Sequence, residues 1–145
     1  MNQPIENNNK INATKEYAVK WQTRFDFFGL YGAPNTPGFR HALKKLPFKQ
    51  KVKVNFNFIA FFFGPVYLFV LGLWKRNITL ILIMVVVYTT LSVVFSKMGI
   101  AYPRYLDVGL GYGFNALYGI SANYGYYLKE KKGEHGWNPF KGMRW

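Results

Sequence analysis

Gly111, Gly113 and Ala116 carry the spacing G-x-G-x-x-A, and Glu130 follows at about the distance at which an acid meets a ribose hydroxyl. That pattern holds a pyrophosphate only where a parallel strand turns into a helix, and no alternation of strand and helix periods surrounds it, so a coincidental match is expected. Other groups capable of chemistry are few. The chain has six acids against 19 Lys and Arg, and no Cys, which excludes thiol catalysis, disulfides, S-palmitoylation and thiolate metal sites. His41 sits among basic residues and His135 follows Glu134; neither has partners at metal-ligand spacing, and both are expected in solvent. Neither G-x-S-x-G nor H-E-x-x-H occurs, and no carboxylates are paired. Asp107, shortly after Pro103, suits a helix N-cap better than a general base. The expectation is a non-catalytic protein with no cofactor and no metal.

A different constellation bears on binding. Gly111, Asn115, Gly119 and Asn123 recur every four residues, and Gly109 with Gly113 forms a small-xxx-small pair. On a helix these make one face where a second helix approaches closely and the amides bond across the contact. The leading expectation is packing within the chain, against the apolar run at 78–95. The sharper alternative is self-association or docking to a larger membrane protein; a polar pore lining would need more than two Asn.

The elements that must position this face are dictated by hydropathy. Two uncharged apolar runs, 56–74 and 78–95, are separated by Lys75, Arg76 and Asn77, and a less apolar uncharged run spans 108–128. About 20 helical residues cross a bilayer core of roughly 30 Å, so the near-zero mean hydropathy averages a lipid-soluble middle with polar ends. The fold class expected is an all-α membrane protein of two to three transmembrane or re-entrant helices, preceded by an amphipathic N-terminal helix. Gly64 and Pro65 predict a kink in the first run, because proline removes a backbone donor and clashes with the preceding turn. Irregular backbone at that depth must be satisfied by protein or water. With no acid, base or histidine in any of the three runs, a buried proton relay has nothing to use.

Four segments follow: a loose polar tail at 1–14, an amphipathic and basic segment at 15–53, a membrane domain at 54–128, and a basic aromatic tail at 129–145. In the second, Tyr17, Trp21, Phe25 and Phe28 recur at helical spacing, with Thr14 placed to cap the start. This helix lies in the membrane interface or packs on the bundle. A break at Gly32, Pro34, Pro37 and Gly38 precedes a short amphipathic turn ended by Pro47. Lys49, Lys51 and Lys53, with Lys75 and Arg76, are expected against phosphate headgroups. In the last segment, Trp137, Phe140 and Trp145 among Lys and Arg suit anchoring at the membrane surface. A net charge of +13 could invite nucleic acid, but cations beside membrane segments set orientation and bind anionic lipid instead; lipid is expected as a partner and nucleic acid is not. Three crossings would place twelve basic residues on the cytoplasmic side and seven outside, two crossings seventeen and two, and the positive-inside rule prefers the even number.

Asn57, Ala60, Phe61, Phe62, Phe63, Gly64, Pro65 and Tyr67 read N-x-x-A-F-F-F-G-P-x-Y, followed by Gly72, Trp74 and Lys75. With the aromatic helix before this core and Asn123, Tyr124, Tyr126 and Tyr127 after it, the chain resembles a bacterial family of small inner-membrane proteins classed as a domain of unknown function. That resemblance implies a multi-pass location in the bacterial inner membrane and no particular activity. Three functions are then open: an accessory protein binding a membrane partner, an immunity protein neutralising a membrane-active toxin, and a channel or transporter subunit.

Overall fold

The structure, a computed structural model, describes residues 17–143, and helices are the regular elements among them, with no strand. They are α1 (Val19–Tyr31), α2 (Pro37–Lys45), α3 (Phe48–Asn55), α4 (Phe58–Val70), α5 (Trp74–Lys97) and α6 (Arg104–Lys132). The absence of strands removes the setting that the Gly111, Gly113, Ala116 pattern requires, since these residues lie inside α6.

The aromatic stripe of α1 packs on the bundle: Trp21, Phe25 and Phe28 are buried, with Trp21 on Tyr126 at 4.7 Å, Phe28 on Tyr124 at 5.1 Å and Phe25 on Tyr127 at 6.0 Å between ring centroids. Edge and tilted ring pairs of this kind add to the burial of their area. The proposed cap Thr14 and the tail 1–14 lie outside the described residues, and the helix begins after Ala18, which offers no side-chain cap. In α2, Thr36 caps the start by accepting from the Phe39 backbone N–H at 3.3 Å, Pro37 occupies the first turn, and Phe39 stacks on Phe28 at 5.7 Å.

The first apolar run breaks where Gly64 and Pro65 predict, and its helix starts only at Phe58. Phe56 and Asn57 are extended (φ −131° and −113°), and α4 is interrupted at Gly64, whose φ of 25° and ψ of −104° lie outside the helical region. Its 13 residues span at most about 20 Å, short of a bilayer core. Asn57 at its head bonds to the Gly119 level of α6, Phe61 reaches the Tyr112 ring, and Leu71 after its end meets Lys129. Contacts that move toward the start of α6 and then back along it describe a segment reversing near Gly64.

The link between the first two runs is also corrected. Lys75, Arg76 and Asn77 form the first turn of α5, and the chain turns at Gly72 (φ 69°) instead. Helix α5 has 24 residues, about 36 Å, and α6 has 29, about 44 Å. They run antiparallel: Arg76 lies beside Gly125, Tyr88 stacks on Phe114 at 6.0 Å, and Phe95 meets Tyr102 at 5.3 Å. Asp107 is not the N-cap of α6; Pro103 holds that position, and Asp107 lies in the first turn, where a carboxylate still faces the positive helix end. The segment 129–145 is corrected as well. Helix continues to Lys132 and ends at Gly133 in the left-handed conformation, and the chain then folds back, with Met143 buried and Gly142 accepting from the Asn35 N–H at 3.1 Å.

By length and composition two stretches, Phe48–Val70 and Trp74–Lys97, are apolar enough to cross a membrane; the first reaches that length only by counting α3 and α4 together across the extended Phe56 and Asn57, whereas the second is the continuous helix α5. The third run lies within α6, whose second half is largely buried against α1, α3 and α4.

Candidate functional site

The polar side chains carried into the apolar middle gather where α3, α4, α5 and α6 meet. Asn123, 1% exposed, donates through Nδ2 to the carbonyls of Val54 at 2.9 Å and Lys53 at 3.2 Å, the unpaired end of α3. Its Oδ1 accepts from Nδ2 of Asn57 at 3.1 Å, while Oδ1 of Asn57 caps α4 through the Ala60 N–H at 3.1 Å. The Asn57 backbone N–H donates to Gly119 O at 2.8 Å, which fastens the extended link between α3 and α4 to α6 at Asn57. Gly119 makes this approach possible: a Cβ there would lie 2.7 Å from the Phe56 ring.

A second junction holds the reversal of α4. Asn77, fully buried, donates through Nδ2 to the Pro65 carbonyl at 2.9 Å, and the Gly64 backbone lies against the Tyr118 ring. Lys129 Nζ donates to Leu71 O at 2.8 Å, placing a cation at the negative end of α4. Its ammonium occupies the space a side chain at position 72 would need. On the outer side, Arg24 Nε donates to Lys53 O at 2.7 Å; burial lowers its pKa from the usual guanidinium value.

The start of α5 forms the third part. Arg76, expected as a headgroup-facing cation, is 3% exposed because Gly125 leaves room for its guanidinium against α6. Its two terminal nitrogens have no hydrogen-bond acceptor among the described residues, and Glu134 Oε1 stands 3.8 Å from one of them. Glu134 itself is paired with Lys141 at 2.8 Å. Lys75 lies over the rings of Trp74 and Trp137, 5.5 and 5.9 Å from their centroids, and the two indoles meet edge-on at 5.6 Å.

The glycine and asparagine face of α6 is thus divided. Gly119 and Asn123 engage the α3–α4 junction, not α5, whereas Gly109, Gly111 and Gly113 have nothing within 4 Å of a notional side chain and Asn115 is partly buried. Lys49 and Lys53 are exposed on α3 and Lys51 is half-buried. His41 and His135 are exposed. Among the described residues no three His, Asp or Glu side chains gather to hold a metal. Sequence reasoning missed the structural roles of Asn77, Lys129 and Glu134. The signal for Asn77 was an amide at the edge of an apolar run, since a buried amide requires a partner.

No solved structure matches this chain. The protein named "Uncharacterized protein YigF" from Salmonella typhimurium is 34% identical over 124 residues, covering 82% of this chain and 89% of that protein. Its namesake from Escherichia coli is 33% identical over 136 residues, covering 86% and 98%. Residues 7–132 match the family described as "Protein of unknown function (DUF2628)", and with these bacterial relatives the chain belongs to that family.

Proposed function

We propose that this protein is a non-catalytic accessory protein of the bacterial inner membrane, anchored by the α5–α6 hairpin and docking a larger membrane protein. One observation carries the reading: only 6% of the most apolar window of α5 is buried, and Leu82, Val85, Val86, Val93 and Val94 are exposed along it. A core helix of a water-soluble protein hides such a surface, whereas lipid solvates it. Phe62, Phe63 and Val66 extend the exposed apolar surface onto the reversing α4. In this arrangement α4 dips into the bilayer and returns, its irregular backbone satisfied by Gly119 and Asn77. Lys97 and Arg104 then lie on one side of the membrane and the other seventeen basic residues on the other, which the positive-inside rule favours. Lys49 and Lys53 face anionic headgroups. Reporter fusions at residues 76, 100 and 145 test the topology: the fusion at 100 is expected outside the cell and the other two inside, and an external residue 145 overturns the two-crossing hairpin.

The partner surface is the open first third of α6, where Gly109 and Gly113 stand beside exposed Tyr105, Val108 and Tyr112. Small residues there let a second helix approach closely. A photo-crosslinker at position 109 in native membranes is expected to capture a different membrane protein, and the additional change Gly113→Leu to abolish capture while the chain stays folded. Recovery of self-dimers alone would remove the accessory reading.

A further inference from the structure

We propose that the start of α5 is a phosphate site for a phospholipid headgroup, with the Glu134 carboxylate as the internal anion that competes for it. The proposal rests on the membrane reading above and names the lipid chemistry of one enclosed place. Three observations converge there. Helix α5 begins without a side-chain cap, so its first-turn N–H groups and the positive end of its dipole face outward. Cations at this end are opposed by the dipole, yet Lys75 and Arg76 both occupy the first turn. The buried Arg76 guanidinium is aimed into a cavity lined by Gly72, Lys75, Glu134, His135 and Gly136 and has no acceptor within hydrogen-bond distance among the described residues; the cavity, about 10 Å³, has room for about one water, so a phosphate enters only as the Glu134 side chain leaves. Dipole, helix amides and guanidinium all call for an anion, and a phosphate oxygen can accept from both terminal nitrogens.

Glu134 supplies that charge incompletely. At 3.8 Å it is too far to bond Arg76, and it is drawn instead to Lys141 at 2.8 Å. Its backbone N–H is fixed to the Leu128 carbonyl at 3.0 Å at the end of α6, but its side chain is 30% exposed, so a headgroup can displace the carboxylate while the backbone stays in place. The depth is right for lipid: the apolar stretch of α5 starts at Ile78, two residues beyond Arg76, and Trp74, which lines the cavity, packs edge-on against Trp137 as indoles do at headgroup level.

The full chain in a zwitterionic detergent, examined by native mass spectrometry after exposure to phosphatidylcholine vesicles with and without phosphatidylglycerol, provides the test, with inorganic phosphate as a separate arm. Phosphatidylglycerol is expected to be retained, Glu134→Gln to raise its affinity several-fold, and Arg76→Gln to lower it about tenfold, the effect of one charge-assisted contact. Arg76→Lys keeps the charge without the fork and should bind with intermediate strength. Glu134→Gln alters a partly exposed tail residue, so it remains informative if the Arg76 variants fail to fold. Unchanged lipid retention in Glu134→Gln overturns the proposal, as does equal protection by inorganic phosphate with no preference for the anionic vesicles. Alkaline extraction of the chain from native membranes separates the two levels: an extracted chain defeats the membrane reading itself, and a retained chain with unaltered lipid binding defeats only the phosphate site.

Discussion

Replacing Asn123 by alanine is expected to destabilise the fold by about 3 kcal/mol or more, at roughly 1 kcal/mol for each of three lost hydrogen bonds. The loss exceeds an ordinary surface change because the partners stay behind. The Val54 carbonyl and the Asn57 amide would remain buried at the junction without Asn123, while the Lys53 carbonyl keeps its bond from Arg24, and an unpaired buried polar group carries its full desolvation penalty. Thermal unfolding in detergent, followed by circular dichroism, checks this. Asn115, two turns earlier on the same face and only partly buried, is expected to tolerate alanine within about 0.5 kcal/mol. Equal shifts for the two variants would show that the amide network does not hold α3 and α4 on α6.

Gly119→Ala and Gly113→Ala are expected to change stability in opposite directions, although both place a better helix former in the same helix. At 119 the new methyl would stand 2.7 Å from the Phe56 ring, which is wedged against Phe58 at 5.1 Å and Phe61 at 5.5 Å. Moving that ring pulls on the neighbouring Asn57 N–H, bonded to Gly119 O. Overpacking of this kind costs about 1–3 kcal/mol, and the propensity gain of up to about 1 kcal/mol offsets only part of it. At 113 nothing lies within 4 Å, so the propensity gain stands alone. The same melting experiment decides, and stabilisation by both alanines would mean that Phe56 does not rest on α6.

Periodicity and charge made much of this architecture legible in the sequence. The stripe of Trp21, Phe25 and Phe28 specified a helix with one buried face, and Gly64 followed by Pro65 specified a break in an apolar run. These are local properties, set by side-chain spacing and backbone sterics within a few residues. What α1 packs against was not local. A stripe of rings is equally suited to lipid and to protein, and only the tyrosines of α6 brought to it in space decide between them.

Boundaries at the charged link misled for the same reason. Lys75 and Arg76 between two apolar runs look like a polar loop, yet the turn falls at Gly72, and Gly125, some fifty residues onward, makes the space that buries Arg76. The four-residue repeat of glycine and asparagine on α6 fixed a close-approach face, but it did not say that Gly119 and Asn123 would be consumed by the α3–α4 junction while Gly109 and Gly113 stayed open. By itself the sequence determined the helices, the kink and the separation of charge from the apolar runs, because each depends on neighbours along the chain. The tertiary structure alone decided which amides pair, which cation is enclosed and which helix face is left free, because a hydrogen bond or a steric contact between distant residues exists only once the chain has folded.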